Sequence, residues 1–174
     1  MADDDADSSE PGRRKFSKIV WRQPPATVQD LVRKLDTFAN TEEGDSQICD
    51  HLIGMARGSS TSAKAIVNSP EITARIAELL NGRPERLAAN EERTSHREIA
   101  TQLKGLSVLT CCAKNYRETG AQLYFNDGLI IALSRLLITQ HSDHVRDAAD
   151  SLLGALVDSK SFDTWQMDSG ALQL

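Results

Sequence analysis

The feature that most constrains this chain is an internal repeat. Cys49-Asp50-His51-Leu52-Ile53-Gly54-Met55 lies over Ala100-Thr101-Gln102-Leu103-Lys104-Gly105-Leu106, and both lie over Ala149-Asp150-Ser151-Leu152-Leu153-Gly154-Ala155. Each copy reads small-x-x-Leu-x-Gly-apolar, and the glycines stand 51 and 49 residues apart. Self-similarity at a period of this order marks a stack of supersecondary units, each unable to bury its apolar face alone. Composition decides what the units are made of. The 174 residues include 19 Leu and 19 Ala but only 5% aromatics. Sheets favour β-branched and aromatic residues, whereas a Leu/Ala core suits helices packed on helices. An all-α fold is expected.

Helix signals run along the chain. Val28, Leu31, Val32 and Leu35 form one apolar stripe, and Ile48, Leu52, Ile53 and Met55 form a second, with Thr41–Asp45 read as a loop between them. Gly58-Ser59-Ser60 breaks the second stripe before a short helix around 63–67. Ser69-Pro70-Glu71 combines an N-cap, a proline at the first helical position and an acid in the first turn, and the helix it opens stops at Asn81-Gly82. A charged insert covers 83–94. Ser95-x-x-Glu98 is a capping box for a long helix through Ile99, Leu103, Leu106 and Leu109. Residues 114–118 read as a turn leading to a short helix that ends at Asn126-Asp127-Gly128. Helices over 129–138 and 143–157 follow, and no proline occurs after Pro84. Residues 1–25 are expected to be a disordered arm, with Asp3, Asp4, Asp5, Asp7 and Glu10 ahead of Arg13, Arg14, Lys15, Lys18 and Arg22. The interleaving of bases with Phe16, Ile19, Val20 and Trp21 reads either as a short linear motif on Arg13, Arg14, Lys15, Lys18 and Trp21 or as a solvated arm.

With paired leucines at Leu79-Leu80 and Leu136-Leu137 ahead of the second and third copies, the chain resembles the armadillo repeat family over about residues 27–174, as about three repeats. Asn126-Asp127-Gly128-Leu129-Ile130-Ile131-Ala132-Leu133-Ser134-Arg135-Leu136-Leu137, followed by Ala149-Asp150-Ser151-Leu152, carries the resemblance most fully. It implies a right-handed superhelix of three-helix units over 26–174, an α-α solenoid whose third helices line a concave binding face. Asp168-Ser169-Gly170-Ala171-Leu172-Gln173-Leu174 looks like the opening of a further unit, so the domain is expected to be open at its C-terminal end.

The sequence departs from the family at one informative place. Peptide-binding armadillo proteins usually carry Asn two residues after the central Leu of the third helix, where its amide grips a peptide backbone. Gly54, Gly105 and Gly154 stand there instead. A glycine inside a helix costs about 1 kcal/mol relative to Ala, so its recurrence calls for a reason: close helix packing, or a groove left open for a partner. Four residues before each glycine come Asp50, Thr101 and Asp150, and one turn earlier Gln47, Glu98 and Asp147. The resemblance places these on the concave face, whose acidity would select a basic or amphipathic segment.

The expected function is therefore a non-enzymatic protein-binding module, an adaptor or scaffold. Two alternatives are a regulator of small GTPases, by a distant resemblance to armadillo-type GDP dissociation stimulators, and a structural subunit of a larger assembly. No catalytic, metal or cofactor site is expected. The chain lacks a phosphate loop, a Gly-x-Ser-x-Gly elbow and a paired-carboxylate constellation. His141-x-x-His144 has no third ligand at metal spacing, and Cys111-Cys112 reads as buried, inert thiol. A formal net charge of −5 without a basic block argues against nucleic acid, no small-molecule substrate is expected, and no stretch approaches a membrane span. Three cysteines, two of them adjacent, do not make a disulfide framework, so a reducing cytoplasmic or nuclear setting is expected.

Overall fold

The computed structural model of the protein describes residues 25–38, 42–82, 96–140 and 142–171. The arm, the charged insert, Ser95 of the capping box and His141 lie outside the described residues. Within them are eight α-helices and no strand: α1 (Val28–Phe38), α2 (Glu42–Gly58), α3 (Ser60–Val67), α4 (Pro70–Asn81), α5 (His96–Asn115), α6 (Arg117–Tyr124), α7 (Asp127–Thr139) and α8 (Asp143–Ala171). The all-α expectation holds.

Among the described residues, side chains cap four of the eight helix starts. The Thr27 hydroxyl accepts from the Asp30 N–H at 3.1 Å and donates to Asp30 Oδ2 at 2.8 Å, closing the first turn of α1. Ser59 caps α3, and Asn126 Oδ1 accepts from the Leu129 N–H at 3.1 Å to cap α7. At α4 the Ser69 hydroxyl accepts from the Ile72 N–H and donates to Glu71 Oε2 at 2.9 Å. The Glu71 backbone N–H, and after it the Ser69 hydroxyl, hold the Glu71 carboxyl below the ordinary carboxylate range. Gly82, with φ of +74°, ends α4 in a left-handed conformation that a side chain would strain.

Four boundaries differ from the sequence reading. Residues 42–45 are the first turn of α2, not a loop. Helix α3 starts at Ser60, earlier than expected, once Ser59 is available as its cap. The turn read at 114–118 shrinks to Tyr116, and α6 begins at Arg117. Finally, α8 continues to Ala171, so Asp168-Ser169-Gly170-Ala171 belongs to it and does not open a separate helix. No proline or glycine occurs between Val157 and Ser169, and each residue added to an existing helix gains a hydrogen bond without a new nucleation cost.

Long helices lie beside long helices: α2 packs along α5, and α5 along α8. On the other side α4 packs on α7 and α3 on α6, while α6 also packs against α8. The core runs through all of them, on Leu31 of α1, Leu52 of α2, Ile66 of α3, Ile76 and Leu80 of α4, Leu106 and Leu109 of α5, Leu123 of α6, Leu133 of α7 and Leu152 of α8. Each buried Leu or Ile of this kind contributes roughly 1.5–3 kcal/mol of transfer free energy. One close approach fixes α6 against α8. A Cβ on Gly120 would stand 2.8 Å from the Ser159 Cβ and 3.4 Å from the Ala113 carbonyl oxygen, so only glycine fits.

Several polar side chains are also buried and partnered. Asp45, 4% exposed, accepts from Arg75 Nη2 at 2.8 Å and Nε at 3.3 Å. Gln102 donates to the Leu80 carbonyl at 3.2 Å and accepts from Gln140 Nε2 at 2.6 Å; Gln140 Oε1 in turn accepts from the Ser142 N–H at 3.2 Å. This amide chain ties the end of α4, the middle of α5, the end of α7 and the start of α8 together.

Candidate functional site

The adjacent helices α2, α5 and α8 present a polar surface, and the residues singled out from the repeat distribute unevenly over it. Asp50 and Gly54 on α2 are exposed, as are Asp147, Asp150 and Gly154 on α8. Gln47 is half-buried, and its Oε1 is buried with no hydrogen-bond partner among the described residues. On α5 the register is turned. Thr101 is 8% exposed and Gly105 is buried, so neither reaches the surface. Glu98 lies over the end of α4, where its Oε1 would meet a Cβ on Gly82 at 2.5 Å. Helix α5 is flanked on both sides by long helices, and its solvent stripe falls instead on Ala100, Lys104, Ser107 and Lys114.

The glycines separate in the same way. A Cβ on Gly54 or Gly154 would meet nothing within 4 Å, whereas one on Gly105 would make ordinary contacts with Leu80 Cδ2 at 3.5 Å and Ile76 Cγ2 at 3.7 Å. Close helix packing therefore does not account for Gly54 or Gly154; the backbone there is bare to solvent on the two outer helices.

The surface is not uniformly acidic. Lys104 reaches from α5 to α2, donating to Asp50 Oδ2 at 2.5 Å and to Ser46 Oγ at 2.7 Å. Lys114 points the other way, to Ser151 Oγ of α8 at 3.5 Å. The charges thus alternate: carboxylate on α2, ammonium on α5, carboxylates Asp147 and Asp150 on α8. Repeat alignment could not find Lys104, because its place in the motif is held by Ile53 and Leu153 in the other two copies.

No protein-family model, curated protein or solved structure matches this chain. The remaining chemistry is correspondingly spare. Among the described residues no group of three or more His, Cys, Asp or Glu side chains is placed to hold a metal ion, and no helix is long and apolar enough to cross a membrane. Cys49, Cys111 and Cys112 are free thiols. Burial, helped by the Asp45 and Asp50 carboxylates, pushes the Cys49 thiol up to about 12, and burial beside Cys111 does the same for Cys112. At neutral pH both are protonated and poor nucleophiles. Cys111 is only half-buried. The basic arm residues Arg13, Arg14, Lys15, Lys18 and Trp21 lie outside the described residues.

Proposed function

We propose that this protein is a non-enzymatic, armadillo-like binding module that takes a partner's polypeptide segment across the exposed face of α2, α5 and α8. The observation that carries the reading is the bare backbone at Gly54 and Gly154, on the two helices flanking α5, with an unobstructed volume above each. A helix interior gives up stability for such a position, and a partner that must approach the backbone closely is a reason to keep it. The side-by-side order of the three long helices, with α4 on α7 and α3 on α6, supports the stacked-repeat architecture. Asp147 and Asp150, exposed and without an ion pair to any described residue, supply attraction for a basic or amphipathic segment; Asp50 is already engaged by Lys104.

Selection from a random peptide library against the full chain tests this. Basic or amphipathic sequences should be enriched, and the Asp147→Lys/Asp150→Lys variant should lose them. An unchanged selection profile, or none at all, sinks the reading.

A second reading, as a subunit of a larger assembly, is favoured by one observation. Ile131 and Ile138 of α7 are 52% and 83% exposed, and Phe125 before it is 67% exposed. Apolar side chains this open are a common mark of contact surfaces. Light scattering across a concentration series tests it, and a strict monomer throughout counts against it.

A further inference from the structure

The carboxyl ends of α2 and α5 enclose an open depression of about 570 Å³, lined by Arg57, Thr110, Cys111, Lys114, Asn115 and Tyr116. We propose that it binds a phosphate monoester, with Arg57 and Lys114 as the paired cations.

Three features of the lining point to a doubly charged oxyanion. First, it contains two cations and no carboxylate, in a chain whose net charge is −5. Second, those cations are unspent. Elsewhere Lys64 pairs with Glu118, Arg75 with Asp45 and Glu78, Lys104 with Asp50, and Arg146 with Asp143. Arg57 is exposed with no carboxylate partner among the described residues, and Lys114 has only the long contact to the Ser151 hydroxyl. Third, the rest of the lining can donate hydrogen bonds to oxygen: the Thr110 and Tyr116 hydroxyls and the Asn115 amide. A guanidinium offers a planar fork to two phosphate oxygens while an ammonium acts as a point charge, so the pair can satisfy a phosphoryl group in different ways at once.

The competing account is that Arg57 and Lys114 merely offset the negative ends of the α2 and α5 dipoles, as cations in last turns commonly do. That account does not call for hydroxyl- and amide-bearing side chains around the same depression. The depression is open on one side, so the group that carries the phosphoryl can extend into solvent. The site borders the partner face, since Lys114 contacts Ser151 beside Asp150. It rests on cations and hydroxyls, however, whereas the partner-face reading rests on Asp147, Asp150 and the bare glycines. Asp147→Lys/Asp150→Lys should therefore abolish peptide selection without weakening phosphate binding.

The test is a nitrogen-15 NMR titration of the full chain with inorganic phosphate, O-phosphoserine and a phosphoserine peptide, each against sodium chloride at equal ionic strength. Saturable shifts should centre on Arg57 and Thr110 to Tyr116. Affinity should fall at least tenfold in Arg57→Ala and in Lys114→Ala, and be partly kept in Arg57→Lys. Both cations are exposed, so these variants should melt with the parent chain, which a thermal scan confirms. Alkylation of Cys111 supplies a second readout and should slow when O-phosphoserine is bound. Tenfold tighter binding of the peptide identifies a phosphorylated side chain as the source, and equal binding identifies a small ester. Shifts no larger than those in chloride, or shifts unaffected by both alanine variants, overturn the proposal.

Discussion

At Gly54 and Gly154 a methyl group would enter open space, so replacing either with alanine should stabilise the protein. The expected gain is about 0.5–1 kcal/mol at each, since only the helical cost of glycine is removed. Gly120→Ala should do the opposite. It drives a Cβ into the Ser159 side chain and against the Ala113 carbonyl, at a cost of about 1–3 kcal/mol. Urea denaturation of the three variants checks both signs, and the same variants assayed for partner binding show whether the bare backbone is used. The thiols give a prediction in pH. Cys49 and Cys112 hold their protons up to about 12 in the folded state, against an ordinary value of 9.0. Above pH 9 the unfolded chain releases protons that the folded chain keeps, so this stability is complete below pH 9 and is lost as pH rises toward 12. The slope is about 1.4 kcal/mol per pH unit for each thiol. Urea midpoints from pH 7 to 10.5 should show the fall, and Cys49→Ala/Cys112→Ala should flatten it. Cys112 was legible as buried, at the apolar end of its helix, whereas the sequence marks Cys49 only as the small residue of the first repeat copy. The constraint on Gly120 was not legible, because it comes from Ser159, a residue 39 positions away that no local pattern links to it.

Helices were legible where a stripe and a cap coincided, as in Ser69-Pro70-Glu71. In sequence Asn126-Asp127-Gly128 reads as the end of a short helix, whereas Asn126 caps the next one. Helix starts were also misjudged where an acidic first turn read as loop, as at the start of α2. How helices are locked together was hidden. Asp45 falls in a stretch that reads as solvated, yet it is buried against Arg75 of α4, 30 residues on. Arg75→Ala should strand that carboxylate and cost about 3 kcal/mol, toward the low end for a broken buried pair because the arginine is 21% exposed. Asp45→Ala/Arg75→Met, which removes both charges, should recover most of the loss in the same urea assay. The amide chain is equally invisible in sequence, since glutamines at 102 and 140 carry no periodic signal. Gln140→Ala should leave the Gln102 carbonyl oxygen and the Ser142 N–H short of a partner, costing about 1–3 kcal/mol. The face of α2, α5 and α8 was half legible. The repeat located its outer helices, but sequence alignment carries no information on how α5 turns between two neighbours, and that turn hides Thr101 and brings Lys104 out.

Across the whole molecule, the Leu/Ala composition fixed the class of fold, while the pairings of α2 with α5 and α5 with α8 are long-range facts. The exposed Ile131 and Ile138 make a prediction at this scale. Ile131→Ser/Ile138→Ser should leave urea stability nearly unchanged, because neither side chain is in the core, and should abolish any self-association seen by light scattering. Helix α5 has a further consequence. It packs against α2, α3, α4, α6 and α8. An array of neighbours can fray unit by unit, but here one helix is common ground to both ends, and its opening would uncouple them together. Its amides should therefore be the slowest to exchange with solvent, at the free energy of global unfolding, and heating should give a single calorimetric transition. The molecule would behave less like a row of parts than like a wheel on one axle.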